Sequence, residues 1–132
     1  MRRILLTLPL DQHWRCQFYR GGDSVDETQN TAIILPLSAW AADPGRPVAT
    51  LDHNVRLSPI EAECVSYWLQ VDSAPQGTQV LVNQKLVGEV RGGKALEFDV
   101  TNYVALGLNW IMFRVEGEPP GRFGAVRLVA TP

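Results

Sequence analysis

Apolar and polar residues alternate along most of this chain with a period of two, the pattern of strands that bury one face. Trp14, Cys16 and Phe18 point one way, and Arg15 and Gln17 the other. Val65, Tyr67, Leu69 and Val71 share a face, with Ser66, Trp68 and Gln70 opposite. Leu96, Phe98 and Val100 alternate with Glu97 and Asp99; Ile111, Phe113 and Val115 alternate with Trp110, Met112 and Arg114. Shorter apolar runs complete the series: Ile4 to Leu10, Thr31 to Leu35, Val80 with Val82, Leu86 to Val90, and Val126 with Leu128. Gly, Pro, Asn or Asp bound each run, so the pattern predicts about eight or nine short strands. Helical periodicity is confined to two short candidates. Ser58 to Ala62 has Ser58 as N-cap and Pro59 in the first turn; Asn102 to Leu106 has Asp99 or Thr101 as cap and Gly107 as its end. Many strands with almost no helix predict an antiparallel β-sandwich or barrel.

Two stretches read as loops, Arg20 to Asn30 and Ala41 to Asn54. Both are long for hairpin connections, which makes them places for function. The first carries Asp23, Asp26 and Glu27, but not at the spacing of an EF-hand, and calcium takes about six or more oxygen ligands. A solvated acidic loop is the expectation. The 132 residues suffice for one domain with a real core, and the expectation is a single domain over 1–132. A net charge of -2 gives no electrostatic case for nucleic acid or an acidic membrane. The N-terminal Arg2-Arg3 before an apolar run imitates a signal peptide, but Thr7, Pro9 and Asp11 interrupt it and no cleavage signal follows. No run reaches the roughly 18 apolar residues of a membrane span. A cytoplasmic location is the default expectation.

The most informative segment is VLVNQKLVGEV, RGG, LEFDVTNYV and GLNWIMFRV, from Val80 to Val115. Its order is strand, Asn-containing turn, strand, Gly-Gly turn, strand, capped turn, strand. This resembles the sugar-binding domain of family 2 glycoside hydrolases, a galactose-binding-like jelly roll, here as a stand-alone chain. Val80, Val82, Asn83, Val87, Gly88, Gly92, Gly93, Phe98, Asp99, Val100, Thr101, Gly107, Asn109, Arg114 and Val115 carry the resemblance. Asp11 to Phe18 and Ile34 to Trp40 add weaker echoes of that domain's early tryptophan strand and proline-tryptophan segment. The fold the resemblance implies is an all-β antiparallel sandwich of jelly-roll type. One departure is Asn83-Gln84, where the family usually has Asn-Gly. A type I′ turn wants positive φ at both positions, which Gln does not supply cheaply, so the turn type stays open. Gly88 is expected at a bulge or a close backbone approach.

None of these residues needs a reaction to explain it. In the resembled enzymes the catalytic carboxylates lie in a separate barrel. Glu97 and Asp99 share a strand face about 7 Å apart by strand rise, but such alternation is ordinary on a solvent face. Glycoside hydrolysis needs its carboxyl pair about 5 to 9.5 Å apart and flanking the bond. His13 and His53 each follow an acid, yet no nucleophile motif, metal-ligand spacing or phosphate loop accompanies them. No catalysis, cofactor or metal is expected. Cys16 reads as core and Cys64 as pointing with Trp68, which argues against a bridge.

Binding remains. Trp68 and Gln70, with Trp110, Met112 and Arg114, stand on faces that their strand-mates leave to solvent. If those strands are neighbours, they make one outer aromatic patch. Such a patch suits a sugar ring, and it equally suits a protein partner. Two functions follow as expectations. One is a non-catalytic carbohydrate-binding or accessory module. The other is a structural subunit of a homo-oligomer, multiprotein assembly or viral particle. Covering of the patch by the long loops is the third arrangement weighed.

Overall fold

The structure, a computed structural model, describes residues 3–19, 31–37, 45–91, 96–117 and 119–132. Ten strands lie among them: β1 (Leu6–Pro9), β2 (Trp14–Tyr19), β3 (Thr31–Ile33), β4 (Val48–Leu57), β5 (Ser66–Val71), β6 (Gln79–Val82), β7 (Lys85–Glu89), β8 (Leu96–Asp99), β9 (Gly107–Glu116) and β10 (Val126–Thr131). They form two antiparallel sheets, one in the order β1-β10-β5-β8 and one in the order β3-β2-β4-β9-β6-β7. Of the sandwich or barrel that the alternation predicts, the all-β sandwich is the observed architecture. The Arg20 to Asn30 loop, with Asp23, Asp26 and Glu27, lies outside the described residues, as do Trp40 and the Gly92-Gly93 turn.

The core is filled as the period-two pattern requires. Leu69, Val71, Val126 and Leu128 face inward from the four-stranded sheet. Trp14, Cys16, Leu51, Val55, Val80, Val82, Ile111, Phe113 and Val115 meet them from the six-stranded sheet. Burying each of the larger side chains stabilises the fold by about 1.5–3 kcal/mol. An aromatic column runs through this core. His53 lies tilted on Trp14 with ring centroids 5.2 Å apart, Trp14 stacks on Phe113 at 5.2 Å, and Phe113 stacks on Phe123 at 5.7 Å. Trp14 can be buried because its indole N–H donates to the Leu10 carbonyl.

The longest pairing joins β4 to β9, from Val48 opposite Glu116 to Leu57 opposite Gly107. This corrects the reading of Ala41 to Asn54 as a loop: from Val48 onward the segment is a central strand. Ala49, Leu51, Val55 and Leu57 do alternate inward. The strand was hidden because its outward partners are Thr50, Asp52 and Asn54 and because His53 occupies an inward position.

Of the two helical candidates, Ser58 to Ala62 forms no helix. Residues 101–103 form a turn, with the Tyr103 and Val104 amides donating to the Val100 carbonyl. Asp99 caps it, accepting from the Thr101 amide at 3.0 Å and the Thr101 hydroxyl at 2.6 Å. Those two bonds hold the exposed Asp99 carboxyl below its usual range.

The β6–β7 turn resolves the open question at Asn83-Gln84. Asn83 has φ 51° and Gln84 has φ 70°, with Val82 paired to Lys85. Positive φ at both central residues of a two-residue loop is the type I′ arrangement. Beyond it the ladder slips: Leu81 pairs with Leu86 and Val80 with Gly88, so Val87 is the extra residue of a bulge. Gly88 also faces the other sheet, where a Cβ would come within 2.8 Å of the Phe98 ring. Both expected reasons for that glycine hold.

Candidate functional site

The five outward residues do not form one patch. Trp68 and Gln70 lie on β5, which pairs with β10 and β8. Trp110, Met112 and Arg114 lie on β9, which pairs with β4 and β6. β5 and β9 therefore belong to different sheets, and the two groups stand on opposite outer faces of the sandwich. Alternation assigns a residue to a face of its own strand. It carries no information on which strands adjoin, and the adjacency on which a joint patch depended is not met.

The β5 group is engaged in local polar contacts. The Trp68 indole N–H donates to Thr131 Oγ1 at 3.0 Å. Gln70 accepts from Arg127 Nε at 2.7 Å and donates to Glu97 Oε2 at 2.9 Å, while Arg127 also reaches Asp72 at 3.1 Å. Glu97 and Asp99 are thus held by neighbours on the sheet surface. On the other face, Arg114 pairs with Glu116 at 2.8 Å, beside a 230 Å³ hollow lined by Gln76, Gly77, Gln79, Glu89, Arg114 and Glu116.

Trp110 stands apart from Arg114. It helps line a wider depression of 380 Å³ with His13, Arg15, Asp52, His53 and Asn54. Three neighbouring strands position this group. Arg15 on β2 is opposite Asp52 on β4, Asp52 is opposite Met112 on β9, and Asn54 is opposite Trp110. Arg15 Nε and Nη2 both donate to Asp52 Oδ2, at 3.3 and 3.1 Å. The pair is asymmetric: the Asp52 side chain is 7% exposed and that of Arg15 is 51% exposed. The guanidinium therefore compensates a carboxylate that is nearly withdrawn from water while keeping one edge in solvent. Among the described residues, no hydrogen bond engages the Asn54 side-chain amide, the Trp110 indole N–H or Arg15 Nη1.

His53 closes the inner wall of this depression. Its Nδ1 is buried and lacks a hydrogen-bond partner among the described residues. Burial pushes its pKa below the ordinary histidine value and His13 adds repulsion, while the His13 and Gln12 backbone and the Asp52 charge oppose the shift. The Cys16 thiol beneath is pushed up to about 11, first by burial and then by Asp52, so it is not a nucleophile near neutral pH. Cys16 is buried, Cys64 is exposed, and both are free. Among the described residues, no three His, Cys, Asp or Glu side chains cluster as metal ligands.

Sequence reasoning named Trp110 but missed Arg15, Asp52 and Asn54 as its companions. Asp52 and Asn54 were placed in a loop, and the β2–β4–β9 adjacency that gathers all four is a long-range pairing.

No protein-family model matches this sequence, and no curated protein matches it. Solved structures do share its fold. An FMN-binding β-glucuronidase from Faecalibacterium prausnitzii superimposes with a TM-score of 0.76 and 16% identity, over 98% of this chain and 23% of that one. A family 2 glycosyl hydrolase from Bacteroides cellulosilyticus gives 0.71 at 22% identity, over 96% of this chain and 21% of its own. A β-glucuronidase from Ruminococcus gnavus gives 0.74 at 15% identity, over 100% and 31%. The fold of the chain is therefore shared with a part of each of these glycosidases, in keeping with the resemblance read from the Val80 to Val115 motif. The chain spans only between a fifth and a third of the length of these enzymes.

Proposed function

We infer that this chain is a non-catalytic carbohydrate-binding or accessory module and that the Trp110 depression is its binding surface. The observation that carries this reading is the set of polar groups without a hydrogen bond among the described residues, the Asn54 side-chain amide, the Trp110 indole N–H and Arg15 Nη1, gathered around one half-buried tryptophan. Sugars are recognised by such mixtures of an aromatic surface with a few convergent hydrogen-bonding groups. Among the described residues, the one carboxylate in the depression, Asp52, is held by Arg15, whereas glycoside hydrolysis commonly uses two. The test is titration of the isotope-labelled protein with monosaccharides and short oligosaccharides, following the Trp110 indole resonance. Saturable shifts that vanish in Trp110→Ala support the reading; a resonance unmoved by every sugar at tens of millimolar ends it.

A second reading, a subunit that assembles through the same sheet, has its own observation. Leu108, Trp110 and Met112 on β9, Leu81 on β6 and Leu86 on β7 form an apolar row on the outer face, with Leu108 61% and Leu86 55% exposed. Solution mass by light scattering separates the two. An oligomeric wild type with a folded, monomeric Trp110→Ala, Met112→Ala variant would establish assembly through this face. Two monomers would remove it.

A further inference from the structure

We propose that the Trp110 depression selects uncharged pyranosides bearing adjacent hydroxyls and discriminates against their uronic-acid counterparts. The inference rests on the binding reading given above and goes beyond it to ligand chemistry. Its basis is the charge balance of the lining. Among the described residues, Arg15 is the one permanent cation there and Asp52 the one acid, and the two are already paired at 3.1 Å. A ligand carboxylate drawn to Arg15 would have to share it with Asp52 and would lie close to a like charge. Like charges at such separations repel strongly near a protein surface, where screening is weaker than in bulk water. Burial opposes a positive charge on His53 at the inner wall of the depression, so that imidazole offers a ligand carboxylate little compensation.

The same pair suits a neutral diol. A hydroxyl both donates and accepts, so two adjacent hydroxyls can accept from the free Arg15 edge while donating to the carboxylate oxygen that Arg15 leaves open. Asn54 carries a carbonyl and an amine and adds one further contact of either sense. Trp110 offers the apolar surface for the ring, which requires no charge at all. The arrangement thus has donors and acceptors in near balance, the complement of a ring of hydroxyls and not of a carboxylate.

The probes are pairs that differ only at C6: methyl β-glucopyranoside against methyl β-glucuronide, and methyl β-galactopyranoside against methyl β-galacturonide. Each is titrated into isotope-labelled protein at pH 7.5 and fixed moderate salt, reading the Trp110 indole and Asn54 side-chain resonances. The expected result is tighter binding of the neutral member by about tenfold, from one unfavourable charge contact. Asp52→Asn, checked for folding by its thermal transition, removes the acid and leaves Arg15 unpaired, and should bring the acidic member level with or ahead of the neutral one. Equal or tighter binding of the uronides by the wild type would overturn the charge argument while leaving the sugar reading intact. An indole that responds to neither member of either pair would remove both.

Discussion

The Asn83 side-chain amide donates to Asn109 Oδ1 at 2.9 Å, tying the β6–β7 turn to the turn that leads into β9. The same Asn83 nitrogen donates to the Tyr103 carbonyl at 2.8 Å, and its Oδ1 accepts from the Trp110 amide at 2.9 Å. Asn109, buried to 1% exposure, accepts from the Ala105 amide at 2.8 Å and donates to the Ala105 and Gly107 carbonyls. Backbone groups that no strand can satisfy are thus satisfied by two asparagines. Removing one leaves buried donors and acceptors unpaired, each at a cost of about 1–3 kcal/mol. Asn109→Ala should therefore lower stability by about 3 kcal/mol in urea unfolding, summing two or more such groups. A loss below about 0.5 kcal/mol, the scale of a neutral surface change, would show that water replaces the network.

Gln84 offers a gain. Its φ of 70° lies in the left-handed region, where a side chain is strained and glycine is not. Gln84 is exposed and makes no contact that a substitution would forfeit among the hydrogen bonds described here. Gln84→Gly should raise the midpoint of urea unfolding, by an amount equivalent to about 0.5–1 kcal/mol after the added flexibility of the unfolded chain is subtracted. A destabilised variant would show that the turn is held from outside its own backbone preferences.

Period-two alternation made the core legible where the outward residues are plainly polar or the inward ones plainly apolar, as in β8 with Leu96, Glu97, Phe98 and Asp99. It failed at β4, where Asp52, His53 and Asn54 follow one another and resemble a turn. Phe123, wholly buried, was invisible for a different reason: it sits in a Gly- and Pro-rich stretch without strand geometry and reaches the core through its stack on Phe113. The site was legible one residue at a time. Trp110 could be recognised as outward-facing, but its separation from Trp68 and its union with Arg15 and Asn54 are set by strand order, a property of long-range pairing.

His53 makes stability depend on pH in a definite direction. Its folded pKa lies below the unfolded one because burial resists the imidazolium. The unfolded state therefore takes up the proton first. The contribution of this group is fully present above about pH 6.5, the ordinary histidine value, and is lost as pH falls through that value toward the lower native one. The charged and titratable groups around it are His13, Arg15, Asp52 and Cys16. Urea unfolding of the wild type and His53→Gln at pH 7.5, 6.5 and 5.5 should show a decline in the wild type that is smaller in the variant. Parallel declines would assign the dependence to other groups.

Gly88 and Phe98 give a test of how the two sheets close on one another. The β7 backbone approaches β8 at this point, and an added methyl would lie 2.8 and 3.0 Å from two atoms of the Phe98 ring. That is overlap, and the ring, packed against the core, must shift to relieve it. Gly88→Ala should therefore destabilise by about 1–3 kcal/mol, the usual range for overpacking. Phe98→Leu alone should also destabilise, through lost burial. If the overlap is the cause, the two changes together should cost less than their sum by at least about 1 kcal/mol, because the smaller side chain makes room for the methyl. Strict additivity in the double-mutant cycle would place the cost of Gly88→Ala in the backbone of the β7 bulge and not in the contact between sheets.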